Sequence, residues 1–400
     1  MENDNFDLVQ HLNDVDETIV ALESLDRTLG SYVVLESLYD GIRKQGSVTE
    51  EDVRLLRVAT ESMSIDTPDQ PSDFMVSLED DNPTIALESI NEQSKTNLVN
   101  ATKKINQALA NVSKLSSDSK KHRAELRTNF SSMGTVNISN PNFTMKANRY
   151  FLLGKDKQIV ANGEEYLKEF EKTAKLCSES CVFVNSFMTN NFATGYKALW
   201  KFITFRADDA IFDMYKSLEQ MTTGLAGIKG MHKQGGIHGS YKFYASEPML
   251  GGMFINVTVP DKEVHNDVKM MIKNIKYHNA AIQGVGHFGL FDGRRVEFNN
   301  VDSNYINRLR KANLELLDAI DLVDTWTNAI SHLGKQNSYV NIILRVFSEG
   351  VIGLIPFIFA TYRCVIRIAT NAINVYRGLL SLSYGNAKTA NRIMKQSTGA

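Results

Sequence analysis

Between Glu349 and Arg363 the chain carries no charge, and Gly350 to Ala360 (GVIGLIPFIFA) is apolar without a break. Such a run has to leave water, because each large apolar side chain gains about 1.5–3 kcal/mol on full burial. Its thirteen uncharged residues fall short of the roughly 20 that a membrane-spanning helix needs. Pro356 lies within it, and a proline inside a helix deletes a hydrogen bond and clashes with the preceding turn. Three arrangements satisfy these constraints. The first is a buried helical hairpin with Pro356 at its bend. The second is an interfacial or membrane-inserting segment presenting Ile352, Leu354, Ile355, Phe357 and Phe359, with Arg345, Arg363, Arg367 and Arg377 suiting it to anionic lipid. The third is a subunit-contact helix.

The other end of the chain is acidic. The formal net charge of −2 hides a division: residues 1–88 hold 21 Asp and Glu against 5 Lys and Arg, which is −16, and residues 89–400 hold 25 against 39, which is +14. An asymmetry of that size speaks to partners rather than to fold. A basic body is drawn to polyanions, phosphate backbones above all, and an acidic leader masks it until release. The plainer reading is an acidic tail that aids solubility.

With 400 residues, 43% of them hydrophobic, the chain can bury a sizeable core in two or three domains. Three cysteines are too few for a disulfide scaffold. Cys177 and Cys181 have no histidine at zinc spacing, so no metal site is expected and all three thiols read as reduced and structural, in a cytosolic setting. The opening MENDNFDLVQ lacks the basic and apolar regions of a secretory signal.

Helical periodicity dominates the rest. Leu8, Leu12, Val15, Ile19, Leu22, Leu25 and Leu29 recur at steps of three or four, within two or three amphipathic helices expected over 5–62. Ser47-Val48-Thr49-Glu50 reads as a capping box opening a helix from Glu51 to Met63. Residues 64–84, holding three of the seven prolines, read as a linker open to proteolysis. Residues 89–128 read as a long helix. Its Leu98, Ile105 and Val112, alternating with Ala101, Ala108 and Leu115, predict packing against a partner helix in this chain or another. On its outer face, Lys120-Lys121-His122-Arg123 is either solvated or a DNA contact. Helix is expected over 160–222, with Phe170, Leu176, Val182, Phe183, Phe187 and Met188 in the core. A hairpin over 241–259 turns at Leu250-Gly251-Gly252 and is followed by a helix from Val264 to Ile282 and a strand from Arg295 to Phe298. A last helix over 303–332 puts Ile306, Leu309, Leu316, Ile320, Val323 and Ile330 on one side. The expected fold class is therefore mainly α with a small α/β, hairpin-containing module and an acidic helical N-terminal propeptide. The segments are 1–88 (propeptide), 89–229 (helical), 230–300 (the α/β module) and 301–400 (helical, with the apolar segment).

No catalytic motif emerges. The glycine-rich stretch 224–240 lacks the lysine and Ser/Thr of a phosphate loop. Gly284-Val285-Gly286-His287-Phe288-Gly289 spells a dinucleotide fingerprint, but a helix is expected before it and a strand after it, the reverse of what that fingerprint needs. His232, His238 and His287 lie near glycine-rich turns, and only their clustering in one pocket would favour an enzyme. No cofactor is expected.

One short pattern remains. A small residue, any residue and Glu occur together four times in residues 1–88, ending at Glu23, Glu61, Glu79 and Glu88, and three times in residues 89–400. Val34-Leu35-Glu36 is a looser copy. The spacing is irregular, unlike a structural repeat, and irregular recurrence suits the recognition sites of a processing enzyme. Acidic helices rich in Ala, Leu, Glu and Ser supply the alternative origin.

This leader resembles the propeptides of internal head (inner-body) proteins of large phiKZ-type tailed bacteriophages, whose prohead proteases cut after Glu in small-x-Glu. The resemblance covers the leader and the plan of acidic propeptide plus basic body; residues 89–400 carry no signature of that family. It implies a virion structural protein, made in the host cytoplasm and packaged inside the phage head. Prohead protease would cut after Glu23, Glu61, Glu79 and Glu88, leaving Ser89 as the new N-terminus. The implied partners are that protease, other head proteins, packaged DNA held by non-specific charge and further copies in an oligomer. A membrane touched by the C-terminal segment completes the set. The alternatives are a head-packaged enzyme modifying host components and a membrane-active delivery protein.

Overall fold

A computed structural model of the protein describes residues 8–45, 49, 51–52, most of 103–131, 137–153, 158–192, 207–234, 240–262, 267–284, 294–330 and 355–398. These residues are mainly helical with a small antiparallel sheet module, as the sequence predicts.

Helix α1 spans Leu8–Gln45 and is one element of 38 residues, the first of the two or three helices expected over 5–62. No proline interrupts it, and its stripe of Val15, Ile19, Leu22, Leu25, Leu29 and Val33 is buried throughout. The next helix begins with a capping box displaced by two residues from the expected one. Thr49 Oγ1 accepts from Asp52 N at 3.2 Å while Asp52 accepts from Thr49 N at 2.9 Å. The described residues of 103–131 are helical and form α2. Its Ala108, Val112 and Leu115 are buried, and its partners are helices of the same chain; Leu98, Ala101 and Ile105 lie outside the described residues.

Helix α3, Gly163–Ser186, is opened by Asn162, whose side chain accepts from Glu165 N, with Glu164 and Glu165 facing the positive helix end. Phe170, Phe187 and Met188 are buried as expected, but Val182 is 56% exposed, because the buried stripe runs through Cys177, Cys181 and Val184 instead. Helix α4 spans Ala207–Ala226.

Strands β1 (Phe143–Lys146), β2 (Leu152–Leu153) and β3 (Gln158–Ile159) precede α3; β4 (Met231–Gln234), β5 (Tyr241–Ser246), β6 (Met253–Pro260), β7 (Asn279–Gly284) and β8 (Arg295–Phe298) follow α4. β4 to β7 form an antiparallel meander, and β1 pairs with β8. The predicted hairpin is β5–β6, with Gly251 at φ 81° and Gly252 at φ 64°, conformations that only glycine adopts cheaply. The helix expected from Val264 to Ile282 is shorter. Helix α5 runs Val268–Asn274, capped by Asp267, and Asn279–Gly284 joins β6 as β7. The open edge of β6 needs a ladder partner, and Ala280 and Ile282 alternate onto the buried face. A strand therefore precedes the Gly284–Gly289 motif, contrary to the sequence reading; the fingerprint still fails, because β8 and not a helix comes next among the described residues.

Helix α6, Ser303–Asp321, is capped by Asp302, and after a break at Leu322 residues 323–330 continue as α7. All six side chains predicted for its inner side are buried. Helix α8, Ile355–Thr398, is 44 residues long. Pro356 is the second described residue of this helix, so whether the chain bends at it depends on residues outside the described ones. The first arm of the expected hairpin lies outside the described residues. α8 packs on α1, α4, α6 and β7. It approaches β7 closely at Gly378, where an added Cβ would fall 2.2 Å from Ile282 Cβ. Asn371 Oδ1 on α8 accepts from Ala280 N at 3.0 Å, anchoring the sheet to the helix.

One contiguous buried cluster includes residues from α1 through α8. At one end Phe298 is its hub: stacked on Phe143 at 4.9 Å, it also meets Phe151, Tyr166 and Tyr305 edge-on at 6.2, 6.5 and 6.4 Å.

Candidate functional site

The acidic N-terminal helix and the basic C-terminal helix meet. α1 and α8 run antiparallel, and from Asp16 onward the contacts of α1 fall at progressively earlier residues of α8. His11 Nε2 lies 3.3 Å from Tyr376 OH. Arg377 grips Asp16 through Nε and Nη2. Arg363 Nε donates to Asp26 Oδ1 at 3.0 Å, and Arg367 Nη2 to Asp26 Oδ2 at 2.6 Å. Tyr32 stacks on Phe359 at 5.1 Å. The ten-residue step from Asp16 to Asp26 matches that from Arg367 to Arg377, so the charges fall in register.

These pairs differ in setting. Asp16 and Arg377 are 42% and 40% exposed, a rim pair of small worth. Asp26 is 5% exposed and its two arginines 12% and 15%, so its carboxylate and both guanidinium groups have left water. The sequence marked these arginines as flanks of the apolar run and missed their partners. The signal was present: Asp26 lies four residues after Leu22 and three before Leu29, an acid inside an apolar stripe.

A second polar chain braces the same helices from α2. Ser119 Oγ lies 3.0 Å from Tyr376 OH, Arg123 Nη1 donates to Ser119 Oγ at 3.1 Å, and Arg123 Nη2 reaches Asp324 at 2.8 Å. Arg123, 2% exposed, is thus a structural member of the basic cluster expected at 120–123. His122 stacks on Tyr384, and Lys120 and Lys121 stay exposed.

The predicted site residues fall as follows. Glu23 is exposed, midway along α1 between buried Leu22 and Leu25. Glu61, Glu79 and Glu88 lie outside the described residues, as do Ile352 and Leu354. Ile355 is the first described residue of α8, Phe357 is half-buried, and Phe359 is fully buried beneath Tyr32. α1 therefore covers part of the segment read as a membrane or partner contact.

His232 lies on β4, 3.7 Å from Glu247; His238 and His287 are outside the described residues. Among the described residues no group of three or more His, Cys, Asp or Glu is placed to hold a metal ion. All three cysteines are free and buried, and burial pushes the Cys177 thiol up to about 12. No described helix is long and apolar enough to cross a membrane.

His278, unremarked in the sequence, is fully buried between α4 and α8. Thr222 donates its hydroxyl to backbone carbonyls of its own helix, so it accepts from His278 Nδ1–H at 2.8 Å, and Tyr215 OH donates to Nε2 at 3.1 Å. That neutral tautomer is fully satisfied. Burial, and then the charge of Arg367, push the imidazole down to about 3. A base depressed in the fold contributes stability above its unfolded pKa of 6.5 and loses it as pH falls toward 3. The stability difference between this chain and its His278→Gln variant should shrink by about 1.4 kcal/mol per pH unit below 6.5. Denaturant melts at pH 7, 6 and 5 check this, and parallel slopes in the two proteins would refute it.

No protein-family model, curated protein or solved structure matches the chain.

Proposed function

We propose that this chain is an internal structural protein of a phage head, trimmed at its acidic N-terminus by a prohead protease and left as a basic body beside packaged DNA. The observation that carries the reading is the division of charge, with its recurrent small-x-Glu sites, given physical form in the pairing of Asp16 and Asp26 with Arg363, Arg367 and Arg377. The leader's carboxylates neutralise arginines of the body, and losing the leader frees those arginines for another polyanion.

On this reading the cuts follow an order. A protease binds its substrate extended, and Glu23 sits inside a helix whose buried stripe holds it down. Cutting after Glu23 has to wait for α1 to open locally. Cuts at Glu61, Glu79 and Glu88 sever the connection to the body but leave α1 docked by its apolar stripe and ion pairs. α1 is then released late, when cleavage after Glu23 splits it.

The test is the N-terminal sequence and intact mass of the protein from mature particles, with a time course during maturation. A body starting at Ser89 is expected, with the cut after Glu23 the slowest, and Glu88→Gln should leave a longer body. A mature chain starting at Met1 would overturn the proposal.

A further inference from the structure

At the corner where β5 begins and β6 ends, the surface combines stacked aromatic rings with lysines. Tyr241, the first residue of β5, stacks on Tyr277 at 5.8 Å with 26° between the rings. Thr258 of β6 fixes Tyr277 by donating to its carbonyl at 2.8 Å. Both rings stay half-exposed. Lys276 holds its ammonium 5.0 Å from the centre of the Tyr277 ring. One and two turns back lie Lys273 and Lys269, at i, i+4 and i+7 spacing on one side of α5 and its final turn. All three lysines are exposed, and among the described residues none is paired with a carboxylate. Lys242, by contrast, lies 3.9 Å from Asp261. The hydroxyl of Tyr277 is drawn below its ordinary pKa, first by a hydrogen bond with Ser240 and then by Lys276 and Lys273, in keeping with a local excess of positive charge.

We infer that this corner binds single-stranded nucleic acid, with phosphates along Lys269, Lys273 and Lys276 and a base stacked on the Tyr241–Tyr277 pair. Lysines four apart on a helix stand about 5–6 Å from one another at Cβ, a spacing that follows an extended strand's phosphates. Bases stacked inside a duplex cannot reach a protein ring, whereas an unpaired base can, and stacking on an aromatic ring is tolerant of sequence. None of the contacts that build this corner involves α1, so the inference does not depend on proteolytic processing.

The test uses the intact full-length chain and a fluorescent 15-nucleotide oligo(dT), read by anisotropy at several salt concentrations. Lys273→Ala with Lys276→Ala should weaken binding about tenfold and flatten the slope of log affinity against log salt by about 1.4, since each lost contact with a single strand removes about 0.7. Tyr277→Leu should weaken binding about tenfold with the slope unchanged. A duplex of equal length should compete poorly. Equal affinity in all three proteins, or no binding at all, overturns the inference. So does a duplex that binds as well as the single strand while Tyr277→Leu has no effect, because that result describes charge without stacking. Matching unfolding midpoints of the variants exclude a folding defect as the cause of lost binding.

Discussion

Replacing Asp26 by alanine is expected to destabilise the protein by about 3–5 kcal/mol, measured as a shift in the denaturant midpoint. The variant strands two guanidinium groups that are only 12% and 15% exposed, with no carboxylate between them. The loss does not measure what the triad contributes to the fold, because bringing three charges out of water already offsets much of their attraction. Replacing all three at once, Asp26→Leu with Arg363→Met and Arg367→Leu, should therefore recover most of the loss. An Asp26→Ala change of under about 1 kcal/mol would mean that water reaches the triad. Failure of the triple variant to recover would mean that the charges set the register of α1 on α8 and that apolar packing alone does not.

Phe298→Ala should cost about as much, roughly 3–5 kcal/mol. Its ring is fully buried and touches four other aromatic side chains, and it fills the space above Gly163, where even a Cβ would come within 2.4 Å of it. The walls of the resulting hole are the β1–β8 pair and the first turn of α3, which are tied down by ladder and cap hydrogen bonds and cannot collapse inward. Phe298→Leu keeps most of the volume and should lose far less. Equal losses for the two variants would show that ring-on-ring geometry, and not filled volume, sets the stability there.

The periodic parts of this chain were legible in the sequence. Ile306 through Ile330 gave a helix whose every predicted inner residue is buried, and the paired glycines at 251 and 252 gave the hairpin. What misled was local pattern overruled by neighbours. The sequence around Ala280 can be wound as a helix, but the unpaired edge of β6 takes it as a strand. The partners across the α1–α8 seam were invisible for another reason. Periodicity states which face is apolar; it does not state which distant segment covers it, and Asp26 meets Arg363 across 337 residues. The same limit hid His278, whose partners Tyr215 and Thr222 come from a helix more than fifty residues earlier. Of the predicted cleavage sites, Glu23 is placed on a helix, as the periodicity from Leu8 to Leu29 predicts.

The seam between the first and last helices also sets a timetable for synthesis. Asp26 leaves the ribosome 337 residues before Arg363. At about 5–20 residues per second, α1 waits on the order of 20 to 70 seconds for the helix that covers its apolar stripe. The nascent chain spends that interval without Arg363 and Arg367, so the Asp26 carboxylate stays in water until they arrive. The seam is thus among the last parts of the fold that can form, however early its first half is made.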